Sequence, residues 1–202
     1  MKLRKNLIVF SALIMALTIS SCKKEAKKDS PMFSVEPKTI TVKWTGYKTT
    51  DKIAVNGSFK EVAISNTKEA PTAEEALNGV EFSIPVSSLF TNEPERDEKL
   101  KNLFFGVMDS TLSLTGTLNL ELSGNGTIML NMNGIKHEFP ITYVVSGQLV
   151  EINGTLNLDD WNAQGALASL NKACYDLHTG PDGVSKTWND VAVSAAIYLK
   201  KK

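Results

Sequence analysis

The chain has 202 residues, of which 42% are apolar, 22% charged and 7% aromatic, and its 22 Lys+Arg balance 22 Asp+Glu. That balance leaves no basic field to hold a nucleic-acid backbone. Two Cys and two His exclude a disulfide-stapled miniature and a Cys-rich zinc module. The length suits one generous domain with a binding or structural role, or an enzyme of sparse chemistry.

Residues 1–21 read as an address. Lys2, Arg4 and Lys5 precede an apolar run, Leu7 to Ile19, that is too short to span a bilayer comfortably. Ile19-Ser20-Ser21-Cys22 resembles a bacterial lipobox, which implies cleavage before Cys22 and acylation of that residue. Two or more acyl chains hold a protein stably at a membrane. Without residues 1–21, 19 Lys+Arg face 22 Asp+Glu, so the remaining chain is mildly acidic. Residues 22–32 form a polar tether from Cys22, and 33–202 form the domain. Lys23, in place of the Asp of an inner-membrane retention signal, points to the outer membrane, facing the periplasm or the cell surface. With Cys22 acylated, Cys174 has no partner within the chain and is expected to be buried or functional.

From Ile40 onward strict alternation dominates. Ile40, Val42 and Trp44 share a face. The segment Ile53–Ser65 follows, then Val80, Phe82, Ile84, Val86 and Ser88. Asn92 to Phe105 is expected as a helix stopped at Gly106. Leu112, Leu114, Gly116, Leu118, Leu120 and Leu122 form the cleanest apolar row. Ile128-Leu130-Met132, a tight turn at Asn133-Gly134, and Ile135 to Val145 read as a hairpin. Val150 to Leu158 is a further strand. Asp160 to His178 is expected as one helix, with Ala163, Leu167, Leu170, Cys174 and Leu177 on an apolar stripe that covers a barrel end. Val191 to Leu199 closes the series.

The expected fold is all-β with short helices: a single eight-stranded antiparallel barrel, capped at one end by a helix. A barrel of this size is either filled by its own side chains or holds one ligand. Gly46, Gly57, Gly116 and Gly154 fall in phase with the inward rows and are read as removing bulk from an apolar tunnel; bends or bulges are the other reading. The expected lining is Trp44, Phe59, Phe82, Ile84, Leu114, Leu118, Phe139, Ile141, Ile152 and Leu156. Such a tube gains about 0.8 kcal/mol per buried CH₂ of a hydrocarbon chain.

These residues also carry a resemblance. Val42-Lys43-Trp44-Thr45, Gly57-Ser58-Phe59-Lys60 and the run Ser88, Thr91, Arg96, Asp97, Leu100, Phe104, Phe105 resemble the YceI-like, polyisoprenoid-binding family. Cys174, His178 and Lys186-Thr187-Trp188 are similar to its lipid-anchored members. The resemblance implies a lipocalin-like barrel and, as partner, a long-chain isoprenoid or fatty lipid. A second contact, with a membrane, would run through acylated Cys22. No cofactor beyond the lipid and no nucleic acid are expected, and a homodimer is left open.

Sharper chemistry competes with these readings. Cys174 and His178, four apart on a helix, could share a metal or form a thiolate–imidazole pair in a thiol- or metal-dependent enzyme. Two ligands are too few for zinc alone, and Cys174 on an apolar stripe behaves as a small hydrophobe. Arg96-Asp97 reads as a helix-start ion pair or barrel-end clasp, and His137 as a mouth or core polar group. A structural lipoprotein with a solid barrel is the third reading.

Overall fold

The computed structural model describes residues 31–202. The expected signal segment, Cys22 and the tether up to residue 30 lie outside the described residues. Among the described residues there are eleven strands: β1 (Phe33–Val35), β2 (Thr41–Lys48), β3 (Ile53–Phe59), β4 (Ala63–Ser65), β5 (Glu81–Pro85), β6 (Leu89–Phe90), β7 (Ser113–Leu120), β8 (Asn125–Met132), β9 (Ile135–Ser146), β10 (Leu149–Asn157) and β11 (Asp190–Lys201). They pair antiparallel in the order β4-β5-β7-β8-β9-β10-β11-β2-β3-β6, and β1 adds to β11. The helices are short: α1 (Ala73–Leu77), α2 (Pro94–Lys99), α3 (Gln164–Ala173) and α4 (Tyr175–His178).

The sheet is mostly what period-two alternation dictates. Leu114, Leu118 and Leu120 of β7 are buried, as are Phe139, Ile141 and Tyr143 of β9 and Val150, Ile152 and Leu156 of β10. The β8–β9 hairpin turns at Asn133 (φ 51°) and Gly134 (φ 69°), the positive-φ pair such a two-residue turn needs. The curled sheet wraps these inward rows around one core.

The strand count of eight is corrected to eleven, and no continuous ladder closes the sheet. The expected strand 53–65 breaks at residues 60–62. Its neighbour stops at Pro85, which has no N–H for a ladder, and Val86–Ser88 form a 3₁₀ turn before β6. The same two segments nonetheless pair on both sides of the interruption, with Ser58 opposite Phe90 and Ile64 opposite Phe82. Within the gap Lys60 N–H donates to Ser88 O at 2.9 Å. The apolar row of β7 is shorter than expected too: Leu112 and Leu122 lie beyond the paired stretch and are exposed.

Neither long helix is continuous. After α2 the chain winds through a π-helical turn, Leu100–Phe104, and a 3₁₀ turn, Phe105–Val107. The second segment opens as a 3₁₀ turn, Leu158–Trp161, stopped by Asn162 in the left-handed region (φ 52°), and Cys174 separates α3 from α4. That break turns Leu177 outward, although Ala163, Ala166, Leu170 and Cys174 are buried over one end of the sheet. Helix α1 was not foreseen. Its signal was the Thr72-x-x-Glu75 box, in which the Thr72 hydroxyl accepts from Glu75 N–H at 3.2 Å.

Candidate functional site: an apolar bore with a charged mouth

The inward faces do not fill the space they enclose. One cavity of about 150 Å³ is walled by apolar side chains including Val42, Ile64, Val80, Phe82, Leu118 and Ile197. A second, of about 130 Å³, lies toward α3 and is walled by Leu89, Leu100, Phe104, Met132, Leu158 and Leu170 among others. Trp44, Phe59, Leu114, Leu130, Leu156 and Val193 line both, so these six form a waist between two chambers. Apolar cavities of this size stay dry and accept apolar guests.

Nine of the ten residues expected to face a bore line the first chamber: Trp44, Phe59, Phe82, Ile84, Leu114, Leu118, Phe139, Ile152 and Leu156. Ile141 does not. It is buried, but its Cγ2 lies 2.9 Å from where a Cβ on Gly154 would stand, so it packs onto that glycine instead.

The glycines act differently from the expectation. A Cβ on Gly57 would lie 2.2 Å from Trp44 Cζ2, and one on Gly116 would lie 2.5 Å from Phe82 Cζ. The space of their missing side chains is thus occupied from the neighbouring strands, at Gly57 by the Trp44 ring and at Gly116 by the Phe82 ring together with Met129 O (2.3 Å). Bulk is redistributed rather than removed. Gly46 alone of the four borders open space, with only Trp44 Cζ3 near, at 3.9 Å. Gly57→Ala is accordingly expected to displace the indole and cost about 1–3 kcal/mol, the range for overpacking. Chemical denaturation would show it, and an unchanged midpoint would contradict the packing described.

Beyond the second chamber lies a mouth of about 280 Å³ lined by Gly46, Lys48, Glu93, Glu95, Arg96, Lys99, Leu100, Leu170, Cys174, Leu177, His178 and Thr187. The Lys186-Thr187-Trp188 segment stitches it to β2: Lys186 N–H donates to His178 O (3.1 Å), and Trp188 N–H donates to Tyr47 O (3.0 Å). Trp188 Nε1–H donates to Thr49 O at 2.7 Å. Thr187 Oγ1 donates to Asn171 Oδ1 (2.8 Å), so its lone pairs accept from His178 Nδ1–H at 2.7 Å. This network assigns the Nδ1–H tautomer and leaves Nε2 as a lone pair. Burial first, then Lys48 and Lys99, hold the His178 pKa below its ordinary value.

Because the folded pKa is depressed, the unfolded chain takes up the His178 proton first as pH falls below about 6.5. The stabilisation is complete above that pH and lost as pH falls toward the folded value. The fall in thermal midpoint between pH 7.5 and 5 is therefore expected to be shallower in His178→Gln than in the parent. An identical slope would exclude His178 as a contributor.

The imidazole does not pair with the thiol. Among the described residues no hydrogen bond joins Cys174 to His178 through their side chains, and no group of three His, Cys, Asp or Glu stands ready to hold a metal. Cys174 is buried and has no disulfide partner among the described residues. Nor do Arg96 and Asp97 form an ion pair. Buried Asp97 Oδ1 accepts from Thr91 N–H (2.8 Å) and Thr91 Oγ1–H (2.6 Å), pinning the loop before α2, and Arg96 is exposed. Asp97→Ala, which strands the Thr91 N–H, is expected to cost about 1.5–3 kcal/mol; a change under about 0.5 kcal/mol in denaturant unfolding would deny the clasp. His137 sits outside the bore, edge-on to Trp161 at 5.4 Å and 3.9 Å from Asp160.

A curled antiparallel sheet around apolar cavities, with a polar mouth beside them, places the fold among barrel-like β architectures. The YceI-like domain profile matches residues 33–198, and the chain belongs to that family. No curated protein sequence matches it. Among the solved structures similar to it in fold are the following two. A polyisoprenoid binding domain from Saccharophagus degradans, implicated in plant cell wall breakdown, is 11% identical with a TM-score of 0.60, over 84% of this chain and 98% of its own. BcnA of Burkholderia cenocepacia is 13% identical with a TM-score of 0.55, over 83% and 99%.

Proposed function

We propose that the protein binds one long-chain isoprenoid or similar single-tailed amphiphile inside its curled sheet, without catalysing a reaction on it. The observation that carries this reading is the pair of apolar chambers in line behind a polar mouth. Each chamber alone is smaller than the roughly 300–1,000 Å³ of a ligand site, so a tail occupies both by moving the waist side chains aside. The sheet then works as a barrel, its interrupted seam at residues 60–62 and 86–88 held by the pairing on either side. The S. degradans relative is described as a polyisoprenoid binding domain, which supports the same ligand class.

The protein is held at the outer membrane by acylated Cys22. Strand β1 pairs with the Leu199–Lys201 end of β11, whereas the mouth lies near its Asp190 end, about 35 Å along the strand. The described chain therefore begins at the end opposite the mouth. Native mass spectrometry of the protein as purified, and after delipidation and reloading, tests the binding. One apolar adduct, lost and regained, is expected; neither adduct nor uptake would overturn the proposal.

A further inference from the structure

Two half-buried lysines line the mouth with no ion-pair partner among the described residues. Lys48, at the end of β2, and Lys99, at the end of α2, are half-buried and line the same cavity as His178. Both are close enough to His178 to disfavour its protonation. Among the described residues neither ammonium has a carboxylate within ion-pair distance; the bridges are Lys52–Asp190, Lys101–Glu98, His137–Asp160, Lys200–Glu36 and Lys202–Glu69. The acids that line the mouth, Glu93 and Glu95, are exposed at its rim beside Arg96, where water screens them. Lys48 and Lys99 thus both raise the positive potential beside His178 at the threshold of an apolar bore, which favours an anion there.

Resting on the lipid-binding reading, the geometry points to an oxyanion headgroup site. Lys48 and Lys99 hold the carboxylate or phosphate of a single-tailed amphiphile whose chain passes Gly46 and Leu100 into the bore. Gly46, Leu100, Leu170 and Thr187 border both mouth and chamber, so head and tail can be held at once. Charge-assisted contacts of this kind are short and strong, and strongest where water is excluded.

The test is a tryptophan-fluorescence titration of the protein with hexadecanoate, hexadecyl phosphate and hexadecan-1-ol, which share one tail. One or both anions are expected to bind at least about tenfold more tightly than the alcohol, the range for a hydrogen bond to a charged group. That gap is expected to narrow with added salt and to collapse in Lys48→Gln/Lys99→Gln. In Lys48→Glu/Lys99→Glu the order is expected to reverse. Preference for both anions assigns a general oxyanion site, and preference for the phosphate alone a phosphate site. Equal binding of anions and alcohol by the parent, or a gap that survives both double variants, overturns the inference and leaves lipid binding standing. Failure of all three ligands to bind overturns both. Single Lys99→Gln, measured in parallel, carries the test should the double variants not fold.

Discussion

Gly46→Leu is expected to yield a stable protein that no longer takes up a long-chain ligand. Gly46 lies on the inward face of β2 and borders both the mouth and the second chamber. A Cβ there would have only Trp44 Cζ3 near it, at 3.9 Å, so the strand accepts a Cβ without distortion, and the rest of the side chain extends into the bordering cavities. Glycine weakens a strand interior by roughly 0.5–1 kcal/mol relative to alanine, so stability is expected to hold or rise slightly. The added isobutyl group stands where a tail must pass. Affinity for a long single-tailed amphiphile is expected to fall by more than about tenfold, that is by more than about 1.4 kcal/mol. Unchanged affinity with an unchanged thermal midpoint would place the route of entry elsewhere, for example at the interrupted seam. The pairing of this variant with Gly57→Ala separates passage from packing, since the second position is covered by the Trp44 ring.

The largest stability loss is expected at Trp161. Its side chain is fully buried, its Nε1–H donates to Leu130 O at 3.0 Å, and Phe139 meets it edge to face at 6.2 Å. It locks the 3₁₀ turn before α3 onto the inner face of the sheet, and Asn133 Nδ2 reaches its carbonyl at 2.8 Å. Trp161→Ala removes the packing and leaves the Leu130 carbonyl without this donor, for a loss of about 3–5 kcal/mol. In a domain of this size that lowers the melting temperature by about 10 °C. Trp161→Phe keeps much of the packing, loses the donor and is expected to fall between the two. A melting temperature within about 2 °C of the parent for the alanine variant would mean that the end of the sheet is not closed by this residue.

Much of this architecture was legible in the sequence because half-buried strands write their facing directly into alternation. The rows of β7, β9 and β10 point inward in the phase expected, and nine of ten expected lining residues surround the first chamber. Strand ends and interruptions were less legible. The exposed Leu112 and Leu122 continue an alternating row past the last paired residues, since periodicity records facing and not partners. The break between β3 and β4 depends on the partner segment turning at Val86–Ser88, a tertiary event that neither segment shows alone. The helices failed for a related reason: the apolar stripe from Ala163 to Leu177 conceals a change of backbone at Cys174.

The site was legible in its walls but not in its shape. Phase identified Gly57 and Gly116 as inward, yet only the structure shows aromatic rings from adjacent strands lying on them. The waist at Trp44 and Phe59 follows from that displacement. The mouth was hardest to find, because Lys48, Lys99, His178 and Thr187 come from four separate stretches of the chain. The Cys174–His178 spacing did mark the region. The imidazole's partner there is Thr187, supplied by the Lys-Thr-Trp segment nine residues on.

The central claim is that the two chambers and the mouth act as one passage for a hydrocarbon tail. A crystal structure of the protein loaded with hexadecanoate or a prenyl phosphate tests it most directly. Continuous tail density is expected from the mouth, past Gly46 and through the Trp44 and Phe59 waist, to the chamber beside Val80 and Ile197. Density confined to the outer surface, with the waist unmoved and both chambers empty, would contradict it.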